Sequence, residues 1–522
     1  MAGLLSGGDQ RGAGGPGYAD HFGCRDALFG FRVTSPDAGS LHGTAVRGGA
    51  AVIVGQVLRT VIQLVGLILL ARLLTPVDFG LVAMVTAIIG VTSVLSDFGL
   101  SLAIMRETAL EPRIRDALFY INTALAVVTA GCVWAAAPLI AAFYGEPRLE
   151  EVTRWLAAFV CISGLAPQFR AELARTHKFT ALAIVDPIAQ GAALAAACVA
   201  ALRGAGYWAV VIQQGVAAVV LVLALVSLSR YVPRSWPSFR GVKQHVSLGA
   251  TSLGLDVTNY LAVYAAPAAV GQALGAAAVG LYQRAFQLVA FPLVQLAGPL
   301  TRVVVPILAH VEDGPKLVAA AKRVQLALAY AVLPFLVLII VGGADLVEVM
   351  FGADWRASGR LAQVLAVGGV FQIFGYVNYW LFTRKGRLGL MWSLEASVWM
   401  PITLLYFVFN AEGAVWIAAL YATSLVLNWL VSTSIGLRKL GLPAMEFLRP
   451  SLVRLAFLVP VVGVGVGVSE VLARDGWGAI WTLFAASGSS LVVVGMLLAL
   501  PAFRTELREF VGIFGKLRKR AN

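Results

Sequence analysis

Long apolar segments follow one another along most of this chain, and they constrain its fold more than any other feature. From Gly48 onward they alternate with short polar breaks, and each is about 20 residues long, the length that a helix needs to cross the hydrocarbon core of a membrane. Of the 522 residues, 59% are hydrophobic and 13% are charged, against roughly 25% charged residues in soluble proteins. A soluble fold cannot bury that much apolar surface. Soluble, disordered and nucleic-acid-binding proteins are therefore excluded despite the net charge of +13, and we predict an all-α polytopic membrane protein.

The apolar segments predict about 14 transmembrane helices. Basic residues test this assignment independently, because cytoplasmic segments carry an excess of Lys and Arg. With a cytoplasmic N-terminus, the inside segments hold 29 of the 40 basic residues and the outside loops hold 5. A miscounted helix would invert this bias downstream, so both termini are predicted to be cytoplasmic, with the basic C-terminal run near anionic lipid. The predicted spans are 48–71, 79–103, 118–142, 151–170, 180–202, 206–228, 246–270, 279–305, 323–345, 358–382, 388–409, 413–436, 450–473 and 478–501.

Two pairs of similar segments predict an internal repeat. Residues 74–81 are similar to 274–281, and residues 137–145 are similar to 344–352. Both pairs map one six-helix unit onto the next in the same orientation, which predicts two six-helix lobes plus two C-terminal helices. The predicted domains are a disordered cytoplasmic tail (1–45), an N-lobe with helices 1–6 (46–228), an interfacial linker (229–245), a C-lobe with helices 7–12 (246–437), helices 13–14 (438–501) and a basic cytoplasmic tail (502–522).

Polar residues inside predicted helix 1 are candidate substrate-binding residues, because such groups must face protein or water rather than lipid. Gln56, Arg59 and Gln63 fall at i, i+3 and i+7 and form one polar stripe. A guanidinium at position 59 can bind a phosphate through two parallel hydrogen bonds, which a lysine cannot do. The alternative for this stripe is a structural hydrogen bond between helices.

Predicted helices 7 and 8 carry further candidates for the same binding site. Arg284 and Gln287 belong to a stripe on helix 8 that continues through Gln295 to Arg302, and Arg302 alternatively extends its side chain to the cytoplasm. Asn259 lies on a polar face of helix 7. We expect Arg59 and Arg284 to supply positive potential on either side of one cavity between the lobes.

Three acidic residues within or near the spans are candidates for ion coupling, and the chain shows no motif for a cofactor or a metal. The three are Asp97 in helix 2, Asp256 in helix 7 and Glu395 in helix 11. Pairing with an arginine, helix capping or a structural hydrogen bond are the alternatives for them. There is no P-loop, Ser-His-Asp arrangement or His/Cys cluster of metal-ligand spacing, so an enzyme is not expected.

Several segments resemble a known family of transporters. They are LARLLTPVDFGLVAMV, LSDFGLSLAIMRE, NYLAVYAAPAAVGQALGAAAVGLYQRAFQL and VVVPILA, and they are similar to the polysaccharide exporters of the MOP flippase superfamily, in particular to the Wzx-type oligosaccharide-lipid flippases. The resemblance covers about residues 45–440. It implies two six-helix lobes around a central cavity, alternating access, and an undecaprenyl-pyrophosphate-linked glycan as cargo.

Together these features predict a flippase that moves a polyprenyl-pyrophosphate-linked oligosaccharide to the outer leaflet of the bacterial inner membrane for surface polysaccharide assembly. A polysaccharide polymerase complex is a candidate partner. Two alternatives stay open. One is a lipid II flippase or a drug/cation antiporter of the same superfamily, although antiporters of organic cations favour acidic central residues. The other is a polytopic glycosyltransferase or polymerase, for which the outer loops leave little room.

Overall fold

The helices of this chain follow its apolar segments. The computed structural model describes residues 38–97, 112–176, 178–231, 233, 242–501, 504 and 508. Every long regular element in these residues is a helix, and the predicted all-α membrane class is confirmed. The helices are α1 (Ala38–Leu73), α2 (Pro76–Asp97), α3 (Pro112–Tyr144), α4 (Arg148–Ser163), α5 (Ala166–Arg175), α6 (Phe179–Leu202), α7 (Trp208–Ser229), α8 (Val242–Ala309), α9 (Pro315–Phe351), α10 (Arg356–Arg384), α11 (Leu388–Val408), α12 (Ala414–Val431), α13 (Met445–Arg474) and α14 (Ala479–Leu497).

Twelve helical segments among the described residues are long and apolar enough to cross a membrane, so the predicted count of fourteen is not confirmed. The two numbers differ at two places. Predicted spans 7 and 8 lie in one segment, Val263–Ala309, whose 47 residues extend about 70 Å at ~1.5 Å per residue, more than twice a hydrocarbon core of ~30 Å. Predicted span 2 runs beyond Asp97, where the described part of α2 ends. The apolar helical part of it that is described, Pro76–Gly90, is too short to count as a membrane-crossing helix.

A glycine divides α8 into two helical halves. Gly275 has φ 78° and ψ −176°, a conformation that side chains with a Cβ rarely adopt. The break falls between predicted spans 7 and 8, so residues 242–274 and 276–309 form separate helical halves. The second half carries the arginine and glutamine stripe described above.

The two segments of the first predicted repeat pair contact each other. A Cβ atom built on Gly80 would overlap the carbonyl oxygen of Ala276, and one built on Gly280 would overlap the carbonyl oxygen of Pro76. The two contacts are related by the same offset of 200 residues that relates the sequence match. Each contact is therefore the repeat-equivalent of the other, as at an interface with twofold symmetry.

The second repeat pair ends two helices in the same way. Gly145 follows the end of α3 with φ 66°, and Gly352 follows the end of α9 with φ 107°. Both values lie in the left-handed region that favours glycine.

Residues 51–522 form one unit, and residues 1–50 form another. Among the described residues, one large buried apolar cluster extends from Leu70 in α1 to Phe447 in α13, and a smaller one lies between Ala166 and Tyr231. Helices α13 and α14 pack on each other and on α9.

Several predicted boundaries fall near the limits of the described residues. α1 begins at Ala38, within the predicted tail 1–45, and α8 begins at Val242, within the predicted linker 229–245. The rest of that tail, most of the linker and most of the predicted tail 502–522 lie outside the described residues.

Candidate functional site

The guanidinium of Arg284 is buried between aromatic rings from both halves of the chain. Its side chain is 5% exposed. The guanidinium carbon lies 3.6 Å from the ring centre of Phe79 in α2 and 5.7 Å from that of Trp355, which precedes α10. Both rings offer their electron-rich faces to the cation. Phe79 occupies this place because the close contact at Gly80 brings the start of α2 against the second half of α8.

The hydrogen-bonding capacity of Arg284 is largely unused. One nitrogen, Nη1, donates to Oε1 of Gln287 at 3.0 Å. The Nε group is buried without a hydrogen-bond partner, and no described carboxylate pairs with the guanidinium. A buried charge without a counter-charge is costly, so this position favours binding of an anion.

A cavity of about 150 Å³ adjoins Arg284. Its polar lining comes from α2, α7 and both halves of α8, that is, from both predicted lobes. Water occupies about 30 Å³ per molecule, so the volume accommodates a phosphate group but not an oligosaccharide. The polar or aromatic lining residues are Phe79, Thr86, Gln214, Tyr264, Gln283, Arg284 and Gln287.

The structure thus places two predicted residues, Arg284 and Gln287, in one cavity, together with residues that sequence reasoning missed. Gln214 is one of them. It follows Gln213 in an otherwise apolar span, and that pair of amides was a signal that could have identified it. Gln283 and Tyr264 carry no comparable signal, because only the break at Gly275 brings the two halves of α8 around the cavity.

Arg59 lies elsewhere, and it is not among the residues lining the Arg284 cavity. Its Nη1 atom is 3.7 Å from Oδ2 of Asp186 in α6. Arg170 of α5 donates two hydrogen bonds to the same carboxylate, one of them 3.2 Å long from Nη1 to Oδ2. The structure therefore does not bring Arg59 and Arg284 together in one cavity, and Arg59 instead joins a group of charges that the sequence analysis did not include.

Predicted glutamines of helix 1 meet a glutamine of helix 8. Oε1 of Gln295 accepts hydrogen bonds from Nε2 of Gln56 at 3.2 Å and from Oγ1 of Thr60 at 3.0 Å. Nε2 of Gln295 donates to Oε1 of Gln63 at 2.9 Å. We call these four residues the glutamine network. It links α1 of the predicted N-lobe to the second half of α8 in the predicted C-lobe.

Hydrogen bonds also link the two predicted lobes near the end of α1. Nε of Arg72 donates to the carbonyl oxygen of Met350 at 3.1 Å, and another of its nitrogens donates to that of Val349. Nε1 of Trp355 donates to the carbonyl oxygen of Ala71 at 2.8 Å. We call this set the Arg72–Trp355 contact.

The remaining predicted residues are placed as follows. Glu395 in α11 is partly buried and has no hydrogen-bond or ion-pair partner among the described residues. The side chains of Asp97, Asp256 and Asn259 lie outside the described part of the structure. Their assigned roles therefore stay predictions.

Comparison with known proteins identifies relatives over most of the chain. The family model described as polysaccharide biosynthesis protein matches residues 69–360. A teichuronic acid biosynthesis protein of Bacillus subtilis is 25% identical over 430 residues, covering 79% of this chain and 87% of that protein. The lipopolysaccharide biosynthesis protein WzxC of Escherichia coli is 22% identical over 363 residues, covering 68% of this chain and 73% of that protein. The predicted resemblance to Wzx-type proteins is confirmed.

Solved structures show the same fold. A lipid II flippase in an inward closed conformation superposes with a TM-score of 0.66 at 12% identity, covering 87% of this chain and 99% of that one. An inward-facing multidrug resistance transporter of the MATE family, within the MOP superfamily, has a TM-score of 0.53 at 16% identity, covering 77% of this chain and 95% of that one. The fold is therefore that of MOP superfamily transporters, as the resemblance implied.

Proposed function

This chain belongs to the family of polysaccharide biosynthesis proteins, and from that membership we propose that it is a flippase for a polyprenyl-diphosphate-linked oligosaccharide. It would carry the glycan and its diphosphate from the cytoplasmic to the outer leaflet of the bacterial inner membrane, with both termini in the cytoplasm. The relatives named for teichuronic acid and lipopolysaccharide biosynthesis and the flippase and transporter fold of the solved structures support this proposal. Moving the lipid breaks no covalent bond, so the proposal includes no catalytic residue and no cofactor.

The observation that carries the proposal is the buried guanidinium of Arg284 beside a cavity that both predicted lobes line. A diphosphate would supply the missing counter-charge and accept the unused Nε hydrogen bond. Because the surroundings are poorly solvated, this attraction is screened far less than in bulk water. Gln283, Gln287 and Gln214 add neutral donors and acceptors for the sugar next to the diphosphate.

The positive charge of Arg284 beside the cavity also argues against the alternative function of a drug or cation antiporter. An organic cation needs an acidic partner in its binding site, and among the described lining residues of the cavity there is an arginine but no carboxylate. Asp97, Asp256 and Glu395 stay candidates for ion coupling.

Alternating access supplies the mechanism. The cavity is too small for an oligosaccharide, so the lobes must separate to admit one. In the proposed orientation, the Arg72–Trp355 contact closes the outer side and the glutamine network closes a level nearer the cytoplasm. Rocking of one lobe against the other would break the two sets in turn. The hydrophilic head group would pass between the lobes while the polyprenyl chain stays in the hydrocarbon.

The experiment that tests the proposal is lipid flipping in proteoliposomes. The purified full chain is reconstituted with a fluorescent undecaprenyl-diphosphate oligosaccharide, and arrival in the opposite leaflet is measured by quenching. We expect Arg284→Gln to lower the flipping rate by about tenfold or more, since a hydrogen-bonded charge contributes ~1.5–3 kcal/mol. Arg284→Lys should retain part of the rate, because it keeps the charge but not the planar fork.

The control is Arg302→Gln, which removes the same charge from an exposed position on the same half of α8. Its rate should stay close to that of the wild type. Equal rates for wild type and Arg284→Gln would refute the role of Arg284. If the wild type does not move the lipid at all, the proposed function itself fails.

A further inference from the structure

Three charged side chains from three helices meet away from the Arg284 cavity. Arg170 of α5 holds the carboxylate of Asp186 in α6 with two parallel hydrogen bonds, the strong fork geometry of arginine and carboxylate. Arg59 of α1 approaches the same carboxylate at 3.7 Å. We call these residues the Asp186 cluster.

A proline and a glycine set the geometry of the Asp186 cluster. Pro187 has no N–H group to donate to the carbonyl of Ala183, four residues earlier in α6. The oxygen of that carbonyl faces Gly55 of α1, where a Cβ would overlap it. The glycine thus permits α1 to approach α6 closely, and one turn further along, Arg59 reaches Asp186.

The Asp186 cluster has an excess of positive charge. Two guanidinium groups share one carboxylate, which leaves a formal charge of about +1 by simple counting. The contact of Arg59 is longer than a hydrogen bond, and this guanidinium has no other ion-pair or hydrogen-bond partner among the described residues. Most of its five N–H donors are therefore unused.

The cluster is also accessible. The side chains of Arg59, Arg170 and Asp186 are 41%, 37% and 23% exposed. On α1, Arg59 lies three residues from Gln56 and four from Gln63, on the face whose two glutamines contact Gln295 between the lobes. An anion moving between the lobes can therefore meet Arg59.

We propose that Arg59 and Arg170 form a second binding site for a phosphate or diphosphate group, in which the Asp186 carboxylate occupies the place of the ligand until the ligand displaces it. This inference rests on the proposed function, since it gives the diphosphate a binding step apart from Arg284. A carboxylate offers arginine the same planar pair of acceptor oxygens that a phosphate does. Asp186 thereby keeps both arginines oriented when the site is empty, and its competition promotes release.

This arrangement makes a prediction that a purely structural ion pair does not. Affinity for a diphosphate should follow the net charge of the cluster. That charge is formally +1 in the wild type, +2 in Asp186→Asn, 0 in Arg170→Gln, and +1 again in the double variant. If Asp186 only stabilised the fold, each single variant and the double variant would all weaken binding.

The test is calorimetric titration of the purified full chain in detergent, with inorganic pyrophosphate and with farnesyl diphosphate as separate probes. We expect Asp186→Asn to bind both about tenfold more tightly, because the substitution removes a negative charge that would repel the diphosphate at close range. Arg170→Gln should bind about tenfold more weakly, and the double variant should return to within about threefold of the wild type. Binding of both probes identifies the diphosphate as the recognised group, whereas binding of farnesyl diphosphate alone shows that the site takes it as part of a lipid.

Arg154→Gln is the matched control. Arg154 forms an ion pair with Glu150 at 2.6 Å on α4 and is 44% exposed, so the variant removes the same charge from a similarly exposed position. Its affinity should not change. The inference is overturned if Asp186→Asn leaves affinity unchanged or lowers it, or if the double variant binds as weakly as Arg170→Gln.

Lipid flipping distinguishes failure of this inference from failure of the proposed function. We expect Asp186→Asn to flip the lipid more slowly despite its tighter binding, because release is impaired. If the Asp186 variants behave like the control while Arg284→Gln still lowers the flipping rate about tenfold or more, the proposed function stands and the second site is refuted. If the wild type neither binds the probes nor flips the lipid, both proposals fail.

Discussion

The contact between the two repeat-equivalent glycines predicts a symmetric effect on stability. A Cβ atom on Gly280 would lie 1.9 Å from the carbonyl oxygen of Pro76 and 2.8 Å from its carbonyl carbon. The distance to the oxygen is more than ~1 Å short of an ordinary non-bonded contact of ~3.5 Å. The obstructing atoms are backbone atoms, so relief requires the two helices to move apart rather than a side chain to rotate.

Moving the two helices apart by that distance loosens the packing of side chains around both glycine contacts. A gap of ~0.5–1 Å forfeits a quarter to a half of the dispersion energy of each affected contact, and overpacked cores typically lose about 1–3 kcal/mol. We expect Gly280→Ala to lower the free energy of unfolding by that amount. Because the contacts are repeat-equivalent, Gly80→Ala should cost a similar amount. The double variant should cost less than the sum, since one separation of the helices relieves both overlaps.

The assay is denaturation of the purified protein in mixed micelles by increasing sodium dodecyl sulfate, followed by tryptophan fluorescence. Gly131→Ala is the control, because Gly131 lies in α3 with no atom within 4 Å of its built Cβ. In a helix that change should stabilise the fold by about 0.5–1 kcal/mol. If Gly280→Ala and Gly131→Ala have the same effect, or if the costs at Gly80 and Gly280 add fully, the twofold contact is refuted.

Three further predictions concern contacts away from these glycines. Trp355→Phe keeps a ring beside Arg284 but loses the hydrogen bond to Ala71, so the free energy of unfolding should fall by about 1–3 kcal/mol; an unchanged denaturation curve would contradict this. Cysteines replacing Gln56 and Gln295 in a cysteine-free background should be cross-linked by a short bifunctional reagent. Because the glutamine network must open during transport, the cross-linked protein should not flip lipid until the link is cleaved. Undiminished flipping by the cross-linked protein would refute that role. Hydrogen bonds from Lys385 and Arg384 lower the pKa of the Asp313 carboxyl. The ionised carboxylate therefore stabilises the folded protein fully above an ordinary aspartate pKa of ~4, and this stabilisation is lost as the pH falls through the lowered pKa. Thermal stability should therefore fall more steeply below about pH 4 in the wild type than in Asp313→Asn, and parallel curves would contradict the assignment.

Helical periodicity explains which of the candidate residues the sequence could place side by side, whereas their role in substrate binding stays a prediction. Arg284 and Gln287 are three residues apart, so any helix places them on one face, and the structure shows them in one cavity. The same reasoning put Gln56 and Gln63 on one face of helix 1, and both contact Gln295. Periodicity indicates which residues share one face of a helix, but it does not indicate which other helix packs against that face.

Because periodicity does not identify the neighbouring helix, the sequence did not indicate the partner of Arg59. Two basic intramembrane residues, Arg59 and Arg284, predict a shared cavity. In the structure Arg59 pairs with Asp186, because Gly55 lets α1 approach α6 closely at Ala183. No pattern along the chain indicates that approach, since it depends on a glycine and a proline more than 130 residues apart in sequence.

The membrane class of this protein follows from the length and apolarity of its segments alone. Hydrocarbon offers no hydrogen bonds to a backbone, so long apolar segments must become helices. The matched segments at 74–81 and 274–281 predict a repeat, and the folded chain adds the contact between them. Which charges face one another can be read only from the packing of the helices. Contacts between helices depend on how closely two backbones approach, and here that was set by glycines at 55, 80 and 280, whose partners lie far away in the chain.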